Sequence, residues 1–420
     1  MNAQAPGRGG HLVAGGQPVA ASSGWLARLF AGRIEGVIAR IDAGLAEGSL
    51  LAHLPDGSTR MLGGRVEGPS AEITIRDWRA ILRLATGGSV GWYQAFEAHE
   101  WDSPDAVQIF ALFMRNAAYL GDTARAKGPW RWAARAFHFL HRNSRKGAEH
   151  NIHAHYDLGN DFYALWLDET MSYSAARWDG ISVDAPLAEA QARKVDLIAE
   201  RLALQPGSEV LEIGCGWGFL ARHFAERHGA RVTAISLSDE QLGWAREREV
   251  EGVAYSHTDY RDVTGQFDAV ASVEMVEAVG RTFWPSYLDA VARALKPGGR
   301  AAIQYIAIRD DLFEAYARSA DFIQAYVFPG GMLIGQREFK RLAEERGLAW
   351  QDQSDFGADY ARTLRQWRKA FDRAVEQGEL PAGFDERFVR LWRYYLMYCE
   401  GGFAGGGIQV SQVTLVKSNP

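Results

Sequence analysis

The chain has 420 residues, with 46 Lys or Arg and 52 Asp or Glu, so its formal net charge is −6. A hydrophobic fraction of 47% and a charged fraction of 23% are those of a folded protein and exclude general disorder. The two cysteines, Cys215 and Cys399, exclude a disulfide framework and a zinc cluster, so a reducing cytoplasm is expected.

Charge is unevenly distributed along the chain. Residues 1–150 contain 17 basic and 13 acidic residues, a balance of +4, which leaves −10 for residues 151–420. Because the length exceeds that of a usual single core, we predict two domains with a boundary near residue 150. Residues 1–23 are rich in glycine and alanine, do not read as a signal peptide, and are predicted to be a flexible tail. No apolar stretch is long enough to span a membrane.

Residues 125–146, RAKGPWRWAARAFHFLHRNSRK, contain seven Lys or Arg interleaved with large aromatic residues and no acidic residue. A basic helix with aromatic side chains is typical of docking on an anionic membrane surface, where rings enter the headgroup region and cations meet phosphates. The same composition suits nucleic acid. It also suits an interdomain helix with aromatic residues in the core and solvated charges, so these readings stay open at this point.

After residue 186 the sequence alternates regularly between helix and strand patterns. The predicted elements, in order, are the helix LAEAQARKVDLIAERLAL, strand EVLEI, helix FLARHFAERHG, strand RVTAISL, helix SDEQLGWARERE, a strand ending near Thr258, strand FDAVASV, helix YLDAVARAL, turn KPGG and strand RAAIQYIAI. Such alternation predicts an α/β fold with a doubly wound, mostly parallel Rossmann-like sheet. The residues from 24 to 150 are predicted to form a smaller mixed domain.

A glycine-rich turn follows the first strand of this region, in the order Glu212, Gly214, Gly216, Gly218 with one residue between each pair. A dinucleotide fingerprint would read G-x-G-x-x-G. The observed G-x-G-x-G with a preceding acid suits a cationic cofactor with a free amino group, and it resembles the S-adenosylmethionine loop of class I methyltransferases. Enzymes that methylate bases usually carry N/D-P-P-Y/F after the fourth strand. Residues 272–278 read SVEMVEA instead, so a nucleic-acid partner is not expected.

Long motifs around this loop extend the resemblance. They are HYDLGNDFYALWLDETMSYS (155–174), VLEIGCGWG (210–218), SLSDEQ (236–241), DYRD (259–262), FPGGML (328–333), FGADY (356–360) and the closing YYLMYCEGGFAGGGIQVSQV. Over about residues 150–418 the chain resembles the cyclopropane-fatty-acyl-phospholipid synthase family of methyltransferases. The resemblance implies transfer of a methyl or methylene group from S-adenosylmethionine to the double bond of an unsaturated fatty acyl chain in a phospholipid.

Further properties are implied by the resemblance. Together with the basic segment and the absence of a spanning stretch, it leads us to expect a cytoplasmic protein that is peripheral on the inner face of the cell membrane, in contact with an anionic surface. A homodimer is kept open as an assembly. In the family, attack by the alkene leaves a cation that aromatic faces can stabilise, and a bound bicarbonate generally removes the proton that closes the ring. A cyclopropane or a methyl-branched chain would be the product.

The resemblance also assigns roles to residues by motif. Glu277 and Tyr360 match the pair that holds bicarbonate, Tyr156 matches the tyrosine that faces the acceptor, and Gln304 stands at the position of the usual histidine. The cofactor-binding positions are Tyr173, Ser174, Glu212, Gly214, Gly216, Gly218, Ser236, Leu237, Gln241, Tyr260 and Arg261.

Two positions depart from the family pattern. Ala175 replaces a cysteine near the bicarbonate, and Gln304 replaces the histidine. We therefore keep open a methyl-branched olefin as the product and a modified or conjugated chain as the acceptor, for example a diene precursor of methylated furan fatty acids. Two other kinds of protein also stay open: a small-molecule methyltransferase and a catalytically weak lipid-binding homologue. His153 and His155 lack an evident third ligand, so no metal site is predicted.

Overall fold

The computed structural model describes residues 8–13, 31–121, 158–319 and 321–418. The described residues divide into two compact units, and neither unit is continuous in the chain. The first contains the residues up to 121 together with 311–329 and 382–408, and the second contains 158–310, 330–381 and 409–418. The boundary predicted near residue 150 lies outside the described residues and stays a prediction. Two segments that follow it in the chain belong to the unit of the N-terminal residues.

The elements are numbered in chain order. The α-helices are Gly10–Val13 (α1), Ala31–Gly44 (α2), Arg79–Glu97 (α3), Ala106–Arg115 (α4), Ala117–Leu120 (α5), Asn160–Ala164 (α6), Leu187–Leu202 (α7), Phe219–His228 (α8), Asp239–Arg246 (α9), Val276–Val279 (α10), Trp284–Ala294 (α11), Asp310–Tyr316 (α12), Gln336–Glu344 (α13), Gly357–Glu376 (α14) and Glu386–Ala404 (α15). The strands are Ser49–His53 (β1), Thr59–Gly63 (β2), Ser70–Ile75 (β3), Trp101–Asp102 (β4), Glu209–Ile213 (β5), Arg231–Ser236 (β6), Val253–His257 (β7), Phe267–Val273 (β8), Leu295–Ile308 (β9), Ile334–Gly335 (β10), Leu348–Asp355 (β11) and Ile408–Lys417 (β12). Short 3₁₀ turns lie at Tyr260–Asp262 and Arg281–Phe283, and a π-helical turn lies at Ile323–Val327.

The first unit is built on a four-stranded sheet in the order β2-β1-β3-β4. Helix α15 packs on α4, and a Cβ at Gly401 would lie 2.4 Å from Cβ of Phe110, so the two helices approach closely only with glycine there. Tyr394 of α15 is buried, with its ring centroid 5.1 Å from that of Tyr93. Within the predicted tail, α1 forms one helical turn whose Leu12 is buried. No helix in the part of the chain that the structure describes combines the length and apolar character needed to cross a bilayer.

The second unit confirms the predicted α/β fold. Its sheet has the order β11-β12-β9-β8-β5-β6-β7, with β10 beside β9. The pairs β5–β6, β6–β7, β5–β8, β8–β9 and β9–β10 are parallel, and β11–β12 is antiparallel. Strands β5 and β8 have the predicted bounds because each has a continuous buried stretch, as parallel strands covered on both faces require.

The predicted turn KPGG differs from the expectation in one respect. The structure includes it in β9, whose register against β8 shifts so that Leu295 pairs with Phe267 and Arg300 pairs with Ala269. The four residues between therefore form a bulge in a paired strand and not a separate turn. A Cβ at Gly299 would lie 2.8 Å from the carbonyl oxygen of Lys296, which explains glycine at this position.

Candidate active site

The glycine-rich loop after β5 takes the conformation that its glycines permit. Gly214, Gly216 and Gly218 have φ angles of +85°, +52° and +83°. A Cβ at Gly214 would lie 2.5 Å from the side chain of Met275, so the loop packs against the residues that follow β8. A Cβ at Gly216 would meet nothing within 4 Å. Gly216 therefore borders open space, as expected where a backbone lets a ligand approach closely.

Glu212 lies on β5 just before this loop and is buried, with 4% of its surface exposed. Its Oε2 is buried without a hydrogen-bond partner. Burial raises the pKa of this carboxyl to about 8, and the positive charges of Arg222 and Lys194 oppose the rise. A buried acceptor without a donor fits the amino group of the expected cofactor.

The end of β6 positions the next group of predicted cofactor residues. Ser238 caps α9 by accepting a 3.3 Å hydrogen bond from the backbone N–H of Gln241. The hydroxyl of Ser236 donates to Oε1 of Gln241 at 3.3 Å, so the two predicted residues lie together, with half-buried Leu237 between β6 and α9. The carboxyl end of a parallel strand followed by a helix is where open α/β sheets bind ligands.

Tyr260 and Arg261 lie in the 3₁₀ turn after β7. Asp259 accepts hydrogen bonds from the backbone N–H of Arg261 at 2.9 Å and from its Nε at 2.8 Å. The guanidinium thus forms an ion pair with Asp259, a residue that sequence reasoning missed. The signal was present, since an Asp two residues before a backbone N–H typically forms such an Asx turn. Tyr260 is buried, and its ring packs 5.6 Å from that of Tyr287.

Ser174 is held by a buried lysine that the sequence did not single out. Lys194 of α7 is 2% exposed and donates from Nζ to Oγ of Ser174 at 2.8 Å and to Oε1 of Gln191 at 2.6 Å. Gln191 in turn donates to the carbonyl oxygen of Ser174 at 3.0 Å. Burial lowers the pKa of Lys194 to about 8. The loop at residues 172–176 is therefore anchored to α7 by polar contacts.

Tyr173 belongs to a group of aromatic residues. Its ring centroid lies 5.5 Å from that of Tyr163, 5.4 Å from that of Trp166 and 5.5 Å from that of Trp367. Tyr360 joins this group through an edge contact with Trp367 at 6.1 Å. Aromatic faces of this kind can stabilise a nearby cation.

Glu274, which immediately follows β8 and was not among the predicted residues, is surrounded by hydrogen-bond donors. Its Oε1 accepts hydrogen bonds from the backbone N–H of Ala175 and from Nε2 of Gln304, each at 2.9 Å. Its Oε2 accepts a 2.8 Å hydrogen bond from the hydroxyl of Tyr360. The backbone of Glu274 has φ +52°, a left-handed conformation that is uncommon outside glycine. Such strain is concentrated at functional sites.

Gln304 connects Glu274 to the interior of the sheet. Its side-chain oxygen accepts a 3.0 Å hydrogen bond from Nε2 of Gln412. Oε1 of Gln412 accepts hydrogen bonds from Arg177 at 3.1 Å and from Arg201 at 3.3 Å. The amide of Gln304 is thereby oriented with its NH₂ group toward Glu274, as an ordered polar network requires.

Glu277, the predicted bicarbonate-holding residue, lies in the short helix α10. Its Oε1 accepts a hydrogen bond from the backbone N–H of Ile306, and its Oε2 is buried without a partner. Burial raises the pKa of Glu277 to about 8, and the negative charge of Glu274 adds to the rise. The structure thus brings Tyr360 and Gln304 together on Glu274 and not on Glu277.

Three predicted or considered residues lie outside the described residues, namely Tyr156, His153 and His155. Among the described residues, a different set offers potential metal ligands: Asp196, His223 and His228 each bring one ligand atom within 4.8 Å of the others. Nε2 of His223 lies 2.6 Å from Oδ1 of Asp196, which is an ordinary hydrogen bond.

The chain is similar to known proteins in both sequence and structure. The family described as "Mycolic acid cyclopropane synthetase" matches residues 143–413. The tuberculostearic acid methyltransferase UfaA1 of Mycobacterium tuberculosis is 37% identical over 361 residues, which cover 80% of this chain and 81% of the relative. The cyclopropane-fatty-acyl-phospholipid synthase of Escherichia coli K12 is 34% identical over 355 residues, covering 83% of this chain and 88% of the relative.

Solved structures show the same relationship. The cyclopropane synthase MmaA2 of Mycobacterium tuberculosis has a TM-score of 0.60 at 26% identity, covering 64% of this chain and 98% of that one. The mycolic acid cyclopropane synthase CmaA1 in complex with SAH and CTAB has a TM-score of 0.60 at 28% identity, with the same coverage. Both structures extend over less of this chain than the two sequence relatives do.

Proposed function

Because the chain belongs to the mycolic acid cyclopropane synthetase family, we propose that it transfers a methyl or methylene group from S-adenosylmethionine to the double bond of an unsaturated fatty acyl chain in a phospholipid. Membership of this family indicates that the chain is an S-adenosylmethionine-dependent enzyme that acts on lipids, either as a fatty acid methyltransferase or as a cyclopropane synthase. The phospholipid acceptor and the nature of the product are the proposed part.

One observation supports the proposal above the others. Glu274, Gln304 and Tyr360 form a hydrogen-bonded group directly after β8, where Met275 packs against the glycine-rich loop. Methylation of an alkene carbon requires that a proton later leave a carbon atom, and this needs a positioned base. A carboxylate held by three donors beside the expected cofactor loop fits that task.

The remaining residues prepare the reaction. When bound, S-adenosylmethionine supplies an electrophilic methyl group. Glu212 would hold its amino group, and Gly216 leaves open space for it. An alkene is a weak nucleophile, so the chain must orient it and exclude water. The aromatic residues around Tyr173 would stabilise the cation that attack leaves on the acyl chain.

The product depends on which carbon loses the proton. Loss from the added methyl group closes a cyclopropane ring, and loss from the neighbouring chain carbon leaves a methyl-branched olefin. The relatives include both a cyclopropane synthase and a tuberculostearic acid methyltransferase, so both outcomes are included in the proposal. The methyl-branched olefin is included because Ala175 and Gln304 replace the usual cysteine and histidine.

We also propose that residues 125–146 bring the enzyme to an anionic membrane surface on the cytoplasmic side. The seven basic residues of this segment and the absence of acidic residues from it support the proposal. The segment lies outside the described residues, so the proposal depends on the sequence alone.

The test uses the purified full chain with vesicles of mono-unsaturated phosphatidylglycerol and S-adenosylmethionine that carries a CD₃ group. Mass spectrometry of the recovered lipids is expected to show acyl chains heavier by one labelled carbon unit. A cyclopropane retains two deuterium atoms, because ring closure removes one, and a methyl-branched olefin retains all three. Vesicles with saturated chains are the control and should remain unlabelled. Unlabelled unsaturated lipids, combined with methylation of a soluble acceptor, would contradict the proposal.

A further inference from the structure

Three groups at family-signature positions already donate to a side chain of this protein. Tyr360 matches a residue that holds bicarbonate, Ala175 stands where the cysteine near the bicarbonate is usual, and Gln304 stands where a histidine is usual. All three donate to the carboxylate of Glu274, at 2.8, 2.9 and 2.9 Å. A carboxylate and a bicarbonate present the same pair of oxygen acceptors. A separate bicarbonate therefore does not fit at these donors unless Glu274 leaves.

The backbone indicates that this arrangement is built in. Glu274 has φ +52°, which a residue with a side chain adopts at a cost, and its backbone N–H donates a 2.7 Å hydrogen bond to the carbonyl oxygen of Gln304. A glycine would adopt this conformation without strain. The strained backbone places the carboxylate among its three donors.

We propose that the carboxylate of Glu274 replaces bound bicarbonate and is itself the base of the reaction. This inference rests on the proposed function. The π electrons of the acyl double bond form the new carbon–carbon bond to the methyl group, while the electrons of the broken S–CH₃ bond stay on sulfur. Glu274 then takes a proton from the methyl group, whose C–H electrons close the ring, or from the neighbouring chain carbon, whose C–H electrons form the new double bond. The protonated carboxyl later releases the proton to solvent.

The protonation state of the neighbouring Glu277 leaves the negative charge of this pair of acids on Glu274. Its pKa, raised to about 8 by burial and by Glu274, keeps it protonated at neutral pH. Burial raises the pKa of Glu274, and its three hydrogen bonds oppose the rise because they favour the charged form. Two adjacent carboxyls whose environments differ in this way are typical of divided acid and base roles.

The first test compares turnover in buffer depleted of carbon dioxide with turnover after bicarbonate is added. We expect the wild-type protein to turn over equally in both. Glu274→Gln should lower kcat by roughly 10²–10⁴-fold, with unchanged affinity for S-adenosylmethionine by calorimetry. Glu274→Ala should regain activity when bicarbonate or formate is supplied. Glu100→Gln is the matched control, because Glu100 is 2% exposed and paired with Arg83 in the first unit, and it should keep wild-type turnover.

A binding measurement tests the inference independently of turnover. By ¹³C NMR, [¹³C]bicarbonate should bind to Glu274→Ala and not to the wild-type protein. Bicarbonate binding by the wild-type protein, or wild-type labelling of lipid only when bicarbonate is present, would overturn the inference while leaving the proposed function intact. If the wild-type protein leaves lipid unlabelled and methylates a soluble acceptor, the proposed function is contradicted. The NMR result would still decide whether Glu274 occupies the anion site.

Discussion

The hydroxyl of Tyr360 in α14 donates a 2.8 Å hydrogen bond to Oε2 of Glu274, the residue after β8. This bond connects the aromatic group around Tyr173 to the carboxylate that we propose as the base. A donor to a carboxylate stabilises its charged form. Tyr360 should therefore act on the reaction through the ionisation of Glu274.

Tyr360→Phe removes this donor and should raise the pKa of Glu274, because the hydrogen bond lowers that pKa. The rising limb of kcat against pH should move to higher pH, and kcat at pH 7 should fall about tenfold. Tyr398→Phe is the control, since Tyr398 donates a 2.6 Å hydrogen bond to Asp321 in the first unit. An unchanged pH profile in Tyr360→Phe would contradict the coupling.

Glu277→Gln should have a small effect on turnover at pH 7, because the substitution mimics the protonated form of Glu277. The folded-state pKa of about 8 lies above the ordinary value of 4.5, so the folded protein holds a proton that the unfolded chain has released between these values. Stability is then lost as pH rises from about 4.5 to 8. The decrease of Tm over this range should be smaller in Glu277→Gln than in wild type. A loss of turnover at pH 7 as large as that of Glu274→Gln would contradict this neutral, non-basic state of Glu277.

Glu212 should lose a proton when the cofactor binds. Its pKa of about 8 leaves it mainly protonated at pH 7, and contact with a cationic amino group favours the ionised form. Calorimetry in buffers of different ionisation enthalpy should show proton release at pH 7 and tighter binding as pH rises toward 8. Glu212→Gln should abolish the proton release and weaken binding about tenfold or more. Glu209→Gln, an exposed position on the same strand, should change neither quantity, and equal effects of the two variants would contradict the assignment.

Gly216→Ala should weaken binding of S-adenosylmethionine by about tenfold or more, because its Cβ would project into the space left for the cofactor. Gly207→Ala is matched to it, since Gly207 also has a positive φ, +84°, and no atom within 4 Å of an added Cβ. Both variants should lose a similar small amount of stability. Only Gly216→Ala should change the Kd measured by calorimetry, and equal affinities would place the cofactor elsewhere.

The basic segment can be tested by removing charge. Arg131→Gln combined with Arg135→Gln should weaken binding to phosphatidylglycerol vesicles by about 2 kcal/mol, roughly 30-fold, in a sedimentation assay. Arg248→Gln combined with Arg337→Gln changes the net charge equally at exposed positions of the second unit and should leave binding unchanged. If both pairs weaken binding alike, the membrane contact is not specific to residues 125–146.

Features that depend on neighbours in the chain were predictable. Strands β5 and β8 have the expected bounds because each is a short, mainly apolar segment that ends at a glycine or polar residue. The left-handed φ angles of Gly214, Gly216 and Gly218 agree with the spacing of the loop, since only glycine adopts them freely. The α/β fold followed from these local patterns.

The ion pair of Asp259 has a local signal in its Asx turn, whereas the burial of Lys194 depends on tertiary packing. Lys194 lies in an amphipathic helix, where a lysine is ordinarily solvated, and only its packing against Ser174 shows that it is buried. Likewise, the amphipathic pattern of α15 predicts a buried face but not the surface that buries it, and in the structure this helix packs against α4 in the first unit. The apolar face of a helix can pack against any complementary apolar surface.

The sequence by itself determined the sheet, the glycine loop and two acids, Glu274 and Glu277, after the fourth strand of that sheet. Only the tertiary structure decided which of these two acids accepts the hydrogen bonds of Ala175, Gln304 and Tyr360. The donors to Glu274 lie 99, 30 and 86 residues away in the chain, at Ala175, Gln304 and Tyr360. Local periodicity contains no information about contacts at such separations. The direction of the Glu274 side chain also depends on a left-handed backbone angle that no pattern in the sequence indicates.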